Sequence, residues 1–150
     1  MDSRQRAKAT YYRRAVEKKT GDMLQRGFSA PCLMRCHYDE FPQAQPQDIT
    51  KDLRALTRRA ERRCHGVRYM AYAAKDPATG APCLHVLIDL PRADCREISR
   101  LWRGGRVDLL QPNREQIEEF ARSARALLDD ETRLFHRVLF ISRSAYQMPA

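Results

Sequence analysis

The chain has 150 residues, and 28 lysines and arginines against 19 aspartates and glutamates give it a formal net charge of +9. This length suits one compact domain, and a hydrophobic content of 43% excludes a disordered chain. A mean hydropathy of −0.68 without any long apolar run excludes a transmembrane helix, and residues 1–20 are too polar for a secretory signal, so we expect a soluble, cytoplasmic protein.

The excess of positive charge favours a polyanionic partner, because cationic side chains that neutralise phosphates release condensed counterions. Arginine supplies 23 of the cations and lysine only 5. Guanidinium groups bind phosphates through two parallel hydrogen bonds, which favours a nucleic acid as the partner. A GC-rich coding sequence would raise the arginine content in the same way without any role in binding.

The N-terminal part of the chain predicts a basic amphipathic helix over Arg4–Arg26, with Gly27 as its stop. We expect residues 1–30 to form a basic helical arm and residues 31–150 to form the folded domain. The candidate nucleic-acid-binding residues of the arm are Arg13, Arg14, Lys18 and Lys19. A solvated helix face without a partner is the alternative for these cations.

A strand is predicted over Pro31–Tyr38, followed by a loop rich in proline and glutamine. Asp48 is the expected N-cap of a helix that runs to about Arg63. The apolar stripe of this helix consists of Ile49, Leu53, Leu56 and Ala60. Arginines crowd the rest of its surface, and the candidate nucleic-acid-binding residues here are Arg54, Arg58, Arg59, Arg62 and Arg63.

Two further strands, Val67–Ala74 and Pro82–Asp89, flank a turn that contains proline and glycine, which predicts an antiparallel hairpin. Four more elements follow in the order helix, strand, helix, strand: Pro91–Arg103, Arg106–Leu110, Asn113–Asp130 and Arg137–Ile141. The order β-α-β-β-α-β-α-β predicts a single α+β domain with helices packed on a largely antiparallel sheet.

Five cysteines raise the question of a metal site or of disulfides. Their number is odd, no two of them have the CxxC spacing, and Cys32, Cys36 and Cys83 lie in predicted strands. The spacing therefore gives little support to a structural zinc site. We expect most of the cysteines to be small buried apolar side chains.

Several short motifs occur in a fixed order between residues 31 and 144. A basic helix precedes the hairpin, Cys83-Leu84-His85 lies in its second strand, Trp102-Arg103-Gly104 comes next, and Ser142-Arg143 lies near the end. In this order they resemble the rolling-circle replication initiators of the HUH endonuclease superfamily, in particular the replication proteins of filamentous phages. The resemblance implies a ferredoxin-like palm and DNA as the partner. In that family two alternating histidines hold Mg²⁺ or Mn²⁺, and a tyrosine attacks the scissile phosphate.

The chain departs from the family pattern at the residues that perform the chemistry. Cys83 stands at the first histidine position, and the period of two places it on the same strand face as His85. The resemblance would make His85, Cys83 and Asp76 the metal ligands, although a thiolate is a poor ligand for these hard cations. Phe120 stands where the family's helix carries the tyrosine. Because phenylalanine has no hydroxyl, attack from this position is chemically impossible.

The leading hypothesis is a DNA-binding protein of a phage, plasmid or other mobile element that keeps a replication-initiator-like domain and lacks strand nicking. Such a protein needs no cofactor and no membrane. One alternative is an interaction protein that inhibits a host defence complex of the CRISPR kind. A second is an active nickase with an atypical site, in which His85 is catalytic, a divalent Mg²⁺ or Mn²⁺ is bound, and a tyrosine outside the usual helix attacks.

Overall fold

Helices and antiparallel strands alternate along the chain in the computed structural model, which describes residues 2–8, 10–11, 14–15, 18, 28–127 and 140–142. The elements are β1 (Pro31–His37), α1 (Pro46–Arg63), β2 (Tyr69–Lys75), β3 (Pro82–Asp89), α2 (Arg92–Ser99), β4 (Val107–Leu110), α3 (Arg114–Ala126) and β5 (Phe140–Ile141). The predicted order of elements and the α+β class are confirmed. Residues 3–8 are helical and exposed.

The five strands form one antiparallel sheet in the order β4-β1-β3-β2-β5. Strand β3 is central, and it pairs with β1 on one side and with β2 on the other over seven residues each. The first six elements, with the strand order β4-β1-β3-β2, form the split β-α-β arrangement of ferredoxin-like folds. The β2–β3 pair is the predicted hairpin.

Helix α1 begins three residues earlier than predicted. Gln45 is its N-cap and Pro46 its first residue, so the expectation that Asp48 is the N-cap is wrong. Asp48 instead lies at the third helical position, where its carboxylate accepts a hydrogen bond of 2.9 Å from the backbone N–H of Gln45. A proline is preorganised for the first turn because its fixed φ is helical and it has no N–H to satisfy. Pro46 in the first turn and the hydrogen bond between Asp48 and Gln45 together explain why the helix starts before Asp48.

The main core lies between one sheet face and the helices α1 and α2. The predicted apolar stripe of α1 is buried, and it packs with Cys95 and Ile98 of α2 against the sheet. Because strand side chains alternate between faces, Leu84, Val86 and Ile88 of β3 all point into this core. Four of the five cysteines, Cys32, Cys36, Cys83 and Cys95, are buried, as the sequence predicted for most of them.

The opposite sheet face carries a second apolar cluster under α3. Phe120 and Ala124 of this helix pack on Leu33, Tyr72 and Leu87 of the three central strands. Asn113 is the N-cap of α3, as predicted, and its side chain accepts a 2.9 Å hydrogen bond from the backbone N–H of Gln116. The sheet is therefore covered by helices on both faces.

The parts of the prediction that concern the chain ends are tested only in part. Of the last predicted strand, residues 140–141 are described and pair with β2, whereas residues 137–139 lie outside the described residues. The division of the chain at residue 30 stays a prediction. No described helix has both the length and the apolar character needed to span a membrane.

Leu84 and Leu101 offer a matched test of the core. The Leu84 side chain is fully buried in the central strand, whereas Leu101 is 59% exposed. Truncation of Leu84 to alanine leaves a cavity, so we expect Leu84→Ala to lower the free energy of unfolding by about 2–5 kcal/mol. Leu101→Ala should change it by less than about 0.5 kcal/mol. Urea denaturation of both variants checks this, and equal effects would contradict the assignment of the core.

Candidate functional site

A group of polar side chains lies at one end of the sheet, on the face that α3 partly covers. We call it the polar corner, and it consists of Arg35 and His37 of β1, Cys83 and His85 of β3, and Asp108 of β4. The strand register places Arg35 opposite both His85 and Asp108, and His37 opposite Cys83. The prediction that Cys83 and His85 share one face is confirmed.

His85 is held between strands as a neutral imidazole. Its ring stacks on the Tyr72 ring, with centroids 4.6 Å apart and planes 10° apart. Burial lowers the pKa of His85 to about 4, and the positive charge of Arg35 and the proximity of His37 add to this effect. The side chain is therefore uncharged at neutral pH, the form in which an imidazole can accept a proton or bind a metal.

Cys83 remains a thiol under the same conditions. Burial raises its pKa to about 12, and the nearby Asp76 carboxylate raises it further while Arg35 acts in the opposite direction. The thiolate is the form that binds metals, so Cys83 is a weak ligand as it stands. The protonated state of Cys83 is thus a second reason against metal binding, beside the mismatch between soft sulfur and hard cations.

Asp76 has a structural partner within its own turn. Its carboxylate accepts a hydrogen bond of 2.9 Å from the backbone N–H of Ala78, and its backbone pairs with Ala81 and Gly80 to close the hairpin. Among the described residues, no three histidine, cysteine, aspartate or glutamate side chains converge as a metal site. The set of His85, Cys83 and Asp76 as metal ligands stays a prediction.

His37 and Asp108 form a side-chain hydrogen bond within the polar corner. The His37 Nε2 atom lies 2.8 Å from the Asp108 carboxylate, and the His37 side chain is only 10% exposed. Asp108 also lies 3.9 Å from the Arg106 guanidinium. The pair links strands β1 and β4 on the same face as His85.

Phe120, which stands where the resemblance to replication initiators expects a tyrosine, lies beside this corner. Its ring contacts Tyr72, with centroids 4.9 Å apart, and Tyr72 in turn stacks on His85. The side chain is buried, with 4% exposure. Helix α3 thus presents residue 120 to the same sheet face as Cys83 and His85, and it presents an apolar ring there. No nucleophilic atom is available at that position.

A second candidate site is the outer face of α1. Ile49, Leu53, Leu56 and Ala60 are buried on one side, and cations follow the opposite side at helical spacing. We call these cations the basic stripe, and they are Lys51, Arg54, Arg58 and Arg62. All four are exposed, and within the described part of the chain they form no ion pair. Their positive charges are therefore accessible to a polyanion.

The other two candidate arginines of α1 lie on its flank. Arg59 is half-buried. Arg63 lies 3.1 Å from the Asp94 carboxylate and 3.9 Å from that of Glu97, both on α2. Arg63 therefore links the two helices, and its charge is already partly balanced. The structure separates it from the stripe, although the sequence predicted all five arginines as equal candidates.

The arm residues Arg14 and Lys18 are helical and exposed. The other two arm candidates, Arg13 and Lys19, lie outside the described residues. The role of all four in nucleic-acid binding stays a prediction.

Sequence reasoning missed Lys51, Arg35 and the pair of His37 with Asp108. Lys51 could have been found, because it precedes Arg54 by three residues and Arg58 by seven on the same helix face. The period of two puts Arg35 and His37 on one face of β1, but only the pairing register brings that face beside His85 and Asp108.

Comparison with protein-family models, with curated proteins and with solved structures finds no match for this chain.

The depressed pKa of His85 predicts a loss of stability in acid. The folded pKa of about 4 lies below the ordinary value of 6.5, so the unfolded chain binds the proton more tightly between these pH values. We expect the free energy of unfolding to fall by up to about 3 kcal/mol from this group as the pH drops from 6.5 to 4. Urea denaturation across this range measures it.

His85→Phe is the control for this measurement, because it keeps an aromatic ring against Tyr72 and cannot be protonated. The difference between the two proteins isolates His85 from the carboxylates that also titrate in acid. Parallel pH profiles for wild type and His85→Phe would contradict the buried, neutral assignment.

Proposed function

We propose that this chain is a nucleic-acid-binding protein of a phage or other mobile element, built on a replication-initiator-like domain that does not nick strands. The observation that carries the proposal is the basic stripe. It places four exposed cations, which form no ion pair with any described residue, in line on a helix that is anchored by its opposite face. The resemblance of the motifs to replication initiators is a second, independent support.

The geometry of the stripe suits a phosphate backbone. Lys51 and Arg62 are eleven residues apart, which is about 16 Å along a helix at 1.5 Å per residue. One strand of DNA presents a phosphate about every 3.4 Å along its axis, so the stripe spans about five phosphates. Because α1 is packed on the sheet through fully buried side chains, the cations are presented from a rigid support.

The polar corner supports the absence of nicking. A nickase of this superfamily needs a hydroxyl nucleophile and a metal that polarises the phosphate. Residue 120 supplies an apolar ring, and the Cys83 thiol is protonated at neutral pH because burial raises its pKa to about 12. Both departures act on the same site, and neither affects the basic stripe on the other side of the sheet.

Removal of the stripe should weaken binding and reduce its dependence on salt. We expect the triple variant Arg54→Ala/Arg58→Ala/Arg62→Ala to bind a labelled 20-base oligonucleotide at least about tenfold more weakly at 100 mM salt. The slope of log K against log salt should shrink by about 2.7 on duplex DNA and by about 2.1 on single strands. Fluorescence anisotropy from 50 to 200 mM salt measures both, on single-stranded and on duplex DNA and RNA.

The matched control removes three other exposed arginines, in the variant Arg106→Ala/Arg114→Ala/Arg122→Ala. It lowers the net charge equally, but it changes α3 and the residue that precedes β4, and it leaves α1 intact. We expect this variant to keep most of the affinity and of the salt slope. Equal losses in the two variants would show that net charge alone binds the nucleic acid, and a wild type without salt-dependent binding would overturn the proposed function.

Incubation of the protein with single-stranded DNA and Mn²⁺ tests the absence of nicking. We expect neither a cleaved strand nor a covalent protein–DNA adduct on a denaturing gel, because Phe120 has no hydroxyl. An adduct that disappears in the variant His85→Ala, while this variant still binds DNA, would show instead an active nuclease with an atypical nucleophile.

A further inference from the structure

A cavity of about 620 Å³ lies at the N-terminal end of α1, where the loop after β1 faces the segment that precedes β4. Its volume is in the range of small-molecule sites, which is about 300–1,000 Å³. The lining residues that matter for its chemistry are Tyr38, Glu40, Phe41, Lys51, Asp52 and Arg103. None of these residues belongs to the polar corner.

The inner wall of the cavity is held in place by several contacts. The Tyr38 hydroxyl donates a 2.6 Å hydrogen bond to the Asp52 carboxylate, and the Tyr38 ring meets the Trp102 ring edge-on at 5.1 Å. Gly104 also lines the cavity and passes so close that an added Cβ would lie 3.1 Å from the Tyr38 ring and 2.7 Å from the His37 carbonyl oxygen. A side chain at this position would clash with the His37 carbonyl oxygen, so glycine allows this segment to pack closely against the end of β1.

Phe41 offers an aromatic surface at the rim. Its side chain is 55% exposed, although burial of such a ring would stabilise the fold by about 1.5–3 kcal/mol. An exposed aromatic ring beside a cavity is the usual platform on which an unpaired nucleobase stacks. The apolar atoms of Pro42 and Ala44 continue this surface into the cavity.

The carboxylates of the cavity favour a ligand that carries hydrogen-bond donors. One oxygen of Asp52 accepts from Tyr38, and Asp48 accepts from the backbone at the start of α1. The Glu40 side chain forms no hydrogen bond or ion pair with the described residues, so both its oxygens remain available. A carboxylate only accepts hydrogen bonds. The Watson–Crick edge of guanine offers two adjacent donors, whereas thymine and uracil offer one.

Lys51 connects the cavity to the basic stripe. It lines the cavity and is also the first cation of the stripe, and Arg103 provides a second positive charge at the cavity. A backbone that follows the stripe toward the N-terminal end of α1 would therefore bring its next base to the rim at Phe41.

We infer that this cavity binds an unstacked guanine of a single-stranded nucleic acid whose backbone runs along the basic stripe. The inference rests on the proposed function and adds to it a preference for single strands and for one base. Phe41 stacks on the base, Glu40 accepts hydrogen bonds from its Watson–Crick edge, and Lys51 and Arg103 bind the flanking phosphates.

The test uses the full chain and two 5′-fluorescein-labelled 12-mers, an all-thymine strand and the same strand with one central guanine. We expect the guanine to raise the affinity about tenfold, since one good base contact gives about 1–3 kcal/mol of discrimination. Phe41→Ala should weaken binding of the guanine strand about tenfold, because base stacking is worth about 1–3 kcal/mol. It should leave duplex binding unchanged.

Two variants sharpen the result. Leu101→Ala removes an equally exposed apolar side chain, 59% against 55%, at a residue that does not line the cavity, and it should change no affinity. Glu40→Gln keeps the shape of the side chain but replaces one acceptor oxygen with a donor. This variant should lose the preference for guanine over thymine and keep most of the stacking energy.

The failure of this inference is distinguishable from the failure of the proposed function. If Phe41→Ala and Leu101→Ala bind the guanine strand alike while the stripe variant still loses affinity, the cavity inference is wrong and nucleic-acid binding stands. If a labelled arginine-rich peptide binds in a Phe41-dependent way and the oligonucleotides do not, the cavity is a site for a basic protein segment. If wild type binds no strand at all, both are wrong.

Discussion

The alternation of side chains along the central strand β3 is the constraint on which the rest of the molecule depends. Leu84, Val86 and Ile88 point into the core beneath α1 and α2, and this leaves Cys83 and His85 for the opposite face. A shift of one residue in the pairing with β1 would turn the imidazole into the main core and would move the three aliphatic side chains to the opposite face. The apolar core and the polar corner are therefore two results of one register.

Helix α1 also has one buried side and one exposed side. Its buried side holds it on the sheet, so its outer side is available for charge without any loss of packing. The cap at Gln45 determines where the helix starts, and the loop before it forms one wall of the cavity. Core, basic stripe and cavity are thus parts of one packed unit.

The contacts that the structure describes in the polar corner are ring stacking and hydrogen bonding. His85 is neutral and half-buried, Cys83 is a buried thiol, and the Phe120 ring contacts Tyr72. Phe120 and Tyr72 pack between α3 and the sheet, and His85 stacks on the same Tyr72 ring. Apolar contact at this place stabilises the fold, whereas a charged metal site would carry a cost of desolvation.

The sequence by itself determined the order of the elements, the α+β class, the buried face of α1 and the shared face of Cys83 and His85. These follow from periods of two and of 3.6 residues, which are local properties of the chain. It could not separate Arg63 from the basic stripe, because only the approach of α2 brings Asp94 within 3.1 Å of it.

The tertiary structure alone decided the pairing of His37 with Asp108, the stacking of His85 on Tyr72 and the cavity between Phe41 and Arg103. The partners in these contacts lie 71, 13 and 62 residues apart along the chain. No local pattern encodes such distances, because they depend on strand order and on the register between strands.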